Sequence, residues 1–219
     1  MLSEKKSDPC FGTTKDDMPL DEIYKVMLYL EKCILEYALA DIKPDASENE
    51  ITYLVIKSAQ INNNTLFIFN HQPVKHKSSR SEDIGVSMKL KPSSGLSEDF
   101  FTIEAKRLDS RLSKCRKKEY VIGERGGIER FKRCFHGEKH KFAGLLGYVQ
   151  TGNFDEWQAD INKWINEKTS PAQYEELVWK DEDKLSLEEK SEKSAKYKSL
   201  HSRICKQEKI QLLHLWIQF

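Results

Sequence analysis

Glu104 and Lys106 stand two residues apart in the run Phe100-Phe101-Thr102-Ile103-Glu104-Ala105-Lys106-Arg107-Leu108. On an extended chain, side chains alternate between faces, so the carboxylate and the ammonium share one face while Ile103 and Ala105 take the other. Charges in an apolar strand are costly to bury without a partner or a task. The acid-any-lysine spacing alone carries little, because it recurs at Glu4/Lys6, Asp41/Lys43, Glu182/Lys184 and Glu188/Lys190 in polar or helical surroundings. Only Glu104/Lys106 follows another strand-like run opened by an acid, Asp83 in Ser81-Glu82-Asp83-Ile84-Gly85-Val86. Two carboxylates from neighbouring strands suit Mg²⁺ (or Mn²⁺), a hard cation satisfied by one or two carboxylates plus water and phosphate oxygens. The carbonyl of Ala105 offers a further oxygen. With Lys106 beside it, such an ion meets the needs of phosphodiester hydrolysis: a water oriented at phosphorus and charge stabilised on the departing oxygen.

The elements that must position these groups are legible in part. Leu20, Ile23, Val26, Met27, Leu30, Ile34, Leu35 and Ala38 follow helical spacing behind Pro19, with Asp21 and Glu22 in the acidic first turn. Pro44 and Asp45 end that pattern. Ser47 and Glu50 have the spacing of a capping box, which predicts a helix through about Ala59. Asn62-Asn63-Asn64 marks a turn before the β-rich Leu66-Phe67-Ile68-Phe69. Strands are predicted at 84–90 and 100–108, separated by the loop composition Pro92-Ser93-Ser94-Gly95. A helix over 128–135, a strand over 144–150, a helix over 154–167 and a buried final strand in IQLLHLWIQF complete the order. The charge-rich 180–198 segment is expected to be a solvated helix or a mobile stretch. This is a mixed α/β pattern. The expected division is an N-terminal lead-in and helix over 1–46, then one domain over 47–219 that includes the charged insertion and the final strand.

The order helix–strand–strand–strand–helix–strand, with Asp83 opening the second strand and Glu104-x-Lys106 in the third, resembles the PD-(D/E)xK nucleases. The resemblance covers roughly residues 47–150. It implies a restriction-endonuclease-like mixed β-sheet flanked by helices. It assigns Asp83 the motif aspartate, Glu104 the second acid and Lys106 the lysine, with Asp83, Glu104 and the Ala105 carbonyl holding the metal. An acid from the preceding helix often joins such a site; Glu50 takes that place by position, with Glu48 the alternative. Glu82 stands where the motif has proline. A looser resemblance, to bacterial restriction-like nucleases of anti-phage defence, rests on four segments: Tyr120–Gly123, Gly127–Phe131, Gly144–Gln150 and Ser199–Arg203. It implies a DNA endonuclease, with DNA expected before RNA, working as a homodimer or beside a partner subunit.

Basic residues flank the motif on both sides. Lys75, His76, Lys77 and Arg80 precede it; Arg107, Arg111, Lys114, Arg116, Lys117, Lys118, Arg125, Arg130, Lys132 and Arg133 follow. Of these, Lys77, Arg80, Arg107, Arg111, Lys114, Arg116, Lys117, Arg125 and Arg130 are the candidates for a phosphate-tracking groove. The net charge of +1 over 219 residues says little beside this clustering.

Other signals point to structure. Cys134, His136 and His140 lack the paired spacing of a zinc site. Trp157 and Trp164 have core spacing, and Gly144 and Gly147 suggest close backbone packing. His71, Gln72, His201 and Arg203 are secondary candidates for substrate contact. Five cysteines without a CxxC pair favour reduced thiols. The amino terminus has no apolar stretch behind its basic residues, and no run approaches the ~20 residues of a membrane span. A cytoplasmic protein without membrane contact is therefore expected. The competing readings are a catalytically silent nucleic-acid-binding or regulatory subunit, and an interaction protein docking through 154–167 and the acidic 175–192.

Overall fold

The computed structural model describes residues 18–61, 65–71, 83–89, 98–123, 126–169 and 177–219. All but the last two residues of the expected lead-in at 1–19, the turn at Asn62-Asn63-Asn64, Gln72, the basic residues from Lys75 to Arg80, the loop at Pro92–Gly95 and Arg125 lie outside them.

Helix α1 (Leu20–Cys33) starts behind Pro19 and runs on through a π turn (Ile34–Ala38) and a 3₁₀ turn (Leu39–Asp41). Its buried stripe is Ile23, Val26, Met27, Leu30 and Cys33, as the periodicity requires. Helix α2 (Glu48–Ile61) opens on a reciprocal cap: Ser47 N donates to Glu50 Oε2 at 2.8 Å, and Glu50 N donates to Ser47 Oγ at 3.3 Å.

Strands β1 (Phe67–His71), β2 (Ile84–Met88) and β3 (Phe101–Leu108) form an antiparallel meander. Short helices α3 (Lys114–Lys118) and α4 (Gly127–Lys132) lead to β4 (Phe142–Val149), which lies parallel to β3. Helix α5 (Phe154–Thr169) and the strands β5 (Ser186–Lys190), β6 (Ser194–His201) and β7 (Ile210–Gln218) complete one seven-stranded sheet of order β1-β2-β3-β4-β7-β6-β5. The chain is thus α/β, with a mixed sheet flanked by helices. Helix α1 packs into the same core as α2 and the strands.

The sheet has a core on each face, and the central strands β3, β4 and β7 serve both, so β4 reads as a continuous apolar run while β3 and β7 interrupt theirs with a few polar residues. Phe101, Ile103 and Ala105 face α1 and α2 with Leu146, Tyr148, Leu213 and Leu215. Leu108, Leu145, Leu212 and Trp216 face the other way, toward α4 and α5, where Trp157 and Trp164 are both buried.

Three expectations need correction. The 180–198 segment is neither a solvated helix nor mobile: it holds a 3₁₀ turn (Asp181–Asp183), β5 and most of β6. Ala195, Tyr197, Ser199 and His201 are buried at period two, and β6 pairs with β7 along its whole length. The many charges misled because they pair across strands, Lys196 with Glu189 at 2.8 Å and Lys198 with Glu188 at 3.1 Å. A charged edge strand also discourages sheet-to-sheet association. Second, Cys134 and Cys205 form a disulfide across 71 residues, with their Cα atoms 6.3 Å apart, against the expectation of reduced thiols. No spacing rule reveals that pair, because only the fold brings the end of α4 against the β6–β7 connection. Third, the helix expected over 128–135 ends at Lys132, where the chain turns.

Gly147 lies between Lys106 on β3 and Trp216 on β7 in the register. A Cβ there would overlap the Trp216 indole, so the residue is fixed by close approach. Gly147→Ala is expected to cost roughly 1–3 kcal/mol through overpacking, read as a lower urea midpoint at unchanged slope; an unaltered midpoint would show that the indole can move aside.

Candidate active site

Strand β2 pairs with β3 only from Ile84↔Ile103 to Val86↔Phe101. Past Ile103 no strand among the described residues lies beside this edge of β3, and its amides need other acceptors. Two carboxylates supply them. Asp83, just before β2, accepts from Ala105 N through Oδ2 at 2.8 Å; Glu48, at the first residue of α2, accepts from Arg107 N through Oε2 at 3.0 Å. Continuing the antiparallel register one step places Asp83 across from Glu104. The gap where β2 leaves β3 is thus lined by acids because the backbone there needs acceptors.

Lys106 reaches into the same gap. Its Nζ lies 2.7 Å from Glu104 Oε1, 2.8 Å from the Ala105 carbonyl and 3.3 Å from Glu48 Oε1. From the α4 side, Arg130 Nη1 lies 2.8 Å from Glu104 Oε1, and His136 Nδ1 lies 2.9 Å from Glu104 Oε2. That last approach is close without the alignment of a hydrogen bond, and among the described residues Glu104 Oε2 and both ring nitrogens of His136 are buried without an aligned partner.

These neighbours separate the acids. Burial pushes Glu104 up, but Lys106, His136 and Arg130 together outweigh it and hold its carboxyl at about 2. Asp83 is raised to about 7, by burial first and then by the Glu104 charge, against smaller opposing effects of Lys106 and the Ala105 amide. Burial opposes the charge on Lys106, yet Glu104, Glu48 and Asp83 raise its pKa above the ordinary lysine value. At neutral pH the centre therefore holds an ionised Glu104, an ammonium at Lys106 and an Asp83 on the edge of ionisation.

The structure brings together Asp83, Glu104 and Lys106. It does not bring Glu50, which is exposed and spent on the Ser47 cap; Glu48, two residues earlier, occupies the gap instead. The cap at Ser47 fixes the first turn of α2, and that turn points residue 48 toward β3. The Ala105 carbonyl accepts from Lys106 rather than standing open. Arg130 was expected on a phosphate-tracking surface and lies against Glu104. His136, considered only for zinc, is the residue that sequence reasoning missed; it sits on the turn after α4, and nothing in its spacing announces Glu104.

The basic surface divides. Arg107 donates to Asp109 at 2.8 Å and to Gln150 at 2.6 Å, and Arg111 to the same aspartate at 2.8 Å, so these two arginines neutralise a buried acid. Asp109 is held well below the usual carboxylate range, first by its hydrogen bond from Arg111. Arg116 pairs with Glu119 at 2.9 Å. Lys114 is exposed and Lys117 half-buried on α3, and among the described residues neither has an ion pair. Lys77, Arg80 and Arg125 lie outside those residues. Arg203 is turned inward, donating to the carbonyls of Gly137, His140 and Glu208.

The residues present suit a hard divalent ion. Among the described residues Glu104 Oε2 lacks an aligned partner, and Asp83 is raised to about 7 by burial and by the Glu104 charge, a cost that a bound cation would offset. Among the described residues no three His, Cys, Asp or Glu side chains are gathered as a metal cluster, but two carboxylates meet the minimum that Mg²⁺ accepts. No family model, curated protein or solved structure matches this chain.

Asp83 gives a pH test with a definite sign. An unfolded aspartate ionises near 3.9, so the unfolded chain loses this proton first and the folded protein is destabilised as pH rises from about 4 to about 7. The interval corresponds to at most ~4 kcal/mol. Asp83→Asn keeps an acceptor for Ala105 N and removes the cost. It is expected to melt higher than the parent at pH 8, with a smaller gain at pH 5. A gain that does not change with pH would refute the assignment.

Proposed function

We propose that the chain is a metal-dependent phosphodiesterase, an endonuclease of the restriction-endonuclease-like PD-(D/E)xK kind, acting on DNA before RNA. The observation that carries this reading is the convergence of Asp83, Glu104, Glu48 and Lys106 on the edge of β3 beyond its pairing with β2. The run of α2, three antiparallel strands, intervening helices and a strand parallel to β3 agrees with the order on which the resemblance rests.

Asp83 and Glu104 would hold Mg²⁺ or Mn²⁺, which supplies Lewis acidity toward a phosphate oxygen and a bound water of lowered pKa. Lys106, kept protonated by its acidic neighbours, acts as a fixed positive charge beside the attacking water and the developing charge on phosphate. Glu48 holds Lys106 in place and ties α2 to β3. Arg130 and His136 hold Glu104 ionised and oriented. Lys114 and Lys117 are available to track a phosphate backbone.

A role in anti-phage defence, a partner subunit and a homodimer extend the proposal, on sequence resemblance alone. In the structure the segments behind that resemblance serve packing: Tyr120, Ser199 and His201 belong to a buried hydrogen-bonded chain, and Gly147 makes room for Trp216. A cytoplasmic setting is also part of the proposal; the Cys134–Cys205 disulfide weighs against it, since such bonds are rare in that compartment, and counting free thiols in protein isolated under alkylation tests it. No helix among the described residues is long and apolar enough to cross a membrane.

The alternative is a catalytically silent nucleic-acid-binding subunit. It is favoured by the crowding of Glu104, whose oxygens already face Lys106, Arg130 and His136. Plasmid, linear and single-stranded DNA and RNA, each incubated with Mg²⁺, Mn²⁺ or EDTA, separate the two. Cleavage that requires metal supports the enzyme; binding without cleavage on every substrate supports the silent subunit.

A further inference from the structure

The two oxygens of Glu104 are buried together but not equally engaged. Oε1 lies 2.7 Å from Lys106 Nζ and 2.8 Å from Arg130 Nη1, whereas Oε2 faces only His136 Nδ1, at 2.9 Å and without hydrogen-bond alignment. His136 is itself fully buried, and among the described residues neither ring nitrogen has an aligned partner. Buried polar atoms are nearly always matched, so an oxygen and a nitrogen left over side by side call for an explanation. A cation satisfies both at once, taking a lone pair from the carboxylate and one from the imidazole. Two donors at adjacent corners of an octahedral ion, each about 2.1 Å from it, stand about 3 Å apart. The 2.9 Å between Oε2 and Nδ1 fits that edge.

The turn that carries His136 is built to hold it still. On either side the backbone enters the left-handed region, at Cys134 (φ 56°) and at Gly137 (φ 59°). Such a conformation is uncommon for a residue other than glycine and gathers at functional sites. Cys134 is tied to Cys205, Arg203 Nη1 donates to the Gly137 carbonyl at 3.3 Å, and the imidazole stands edge-on to Phe131. We infer that His136 is a nitrogen ligand of the divalent ion held by Glu104, so that the centre prefers a first-row transition ion such as Mn²⁺ to Mg²⁺. Imidazole suits transition ions, while Mg²⁺ keeps to oxygen. Among the described residues no three His, Cys, Asp or Glu side chains are gathered as a cluster, so water and substrate oxygens complete the shell. The inference rests on the metal-dependent nuclease reading and narrows its cofactor.

The test adds Mn²⁺ to the full chain without nucleic acid and reads the ion by electron spin-echo spectroscopy, which detects a directly bound nitrogen. The parent is expected to show imidazole nitrogen on the ion, and His136→Gln to lose it. Losing even an outer-shell partner costs a metal site roughly 10–100-fold in affinity, so His136→Gln should bind Mn²⁺ at least about 10-fold more weakly. Mg²⁺ affinity, read by competition, should fall by less. His136→Asn is the second variant, and thermal melts show that each is folded. Mn²⁺ bound to the parent without nitrogen, or nitrogen that persists in both variants, overturns the inference and leaves the nuclease reading to its cleavage assay. If the parent binds neither ion, both fall together.

Discussion

Lys106→Ala is expected to lower metal-dependent cleavage by roughly 10²–10⁴-fold, the range for losing one positioned proton-transfer or charge-stabilising group. The size of the effect follows from where the ammonium sits. It is nearly inaccessible to solvent, and its three neighbours within 3.3 Å are the Glu104 carboxylate, the Ala105 carbonyl and the Glu48 carboxylate. Those acids hold the proton on, so at neutral pH Lys106 works as a cation and not as a base. Water cannot fully replace it in a closed site. Nucleic-acid affinity measured in EDTA should stay within about twofold, because a buried ammonium contributes little to phosphate tracking. Lys106→Arg should not restore the rate, since a planar fork does not fit a site built for a point charge. Retention of more than about a tenth of the parent activity in Lys106→Ala would remove this residue from the mechanism.

Asp183→Ala should produce the largest loss of stability. Asp183 is the hub of a buried polar chain. It accepts from Lys132 Nζ at 2.6 Å, from Lys180 N at 2.6 Å and pairs with His201 Nδ1. From His201 the chain runs through Ser199 to His214 at 2.6 and 2.7 Å, then to Tyr120 OH at 2.8 Å, which also accepts from Trp216 Nε1 at 2.7 Å. This Ser–His–Asp order is sealed: Asp183 and His201 are fully buried, so it pins α4 to β6 and β7. Deleting Asp183 strands the Lys132 ammonium, a loss of roughly 3–5 kcal/mol and on the order of 10 °C in melting temperature. Lys132→Met should cost less, because Asp183 keeps Lys180 N and His201 and the methionine fills the space of the lysine stem. Equal losses in the two variants, or a larger one in Lys132→Met, would contradict this account.

Much of the centre was legible in sequence because strand geometry is local. Alternation alone places Glu104 and Lys106 on one face, and an acid at the start of the preceding strand is brought opposite by a short antiparallel register. The helix spacing of α1 and the core spacing of Trp157 and Trp164 were readable for the same reason. The choice between Glu48 and Glu50 was not. Both lie in the first turn of α2, and which carboxylate caps Ser47 and which turns inward depends on the Arg107 amide, which lies beyond the pairing with β2 and donates to Glu48.

The amino-acid order by itself determined the α/β pattern, the shared face of Glu104 and Lys106, and the acid that opens β2, since each follows from a period of a few residues. Tertiary structure alone decided the rest: that Arg130 and His136 close on Glu104, that Arg107 and Arg111 serve Asp109, that a charged stretch becomes an edge hairpin, and that Cys134 meets Cys205. Those contacts join residues from 2 to 71 positions apart. Their partners are set by which backbone groups and charges the packed sheet leaves unsatisfied, a quantity no local spacing contains.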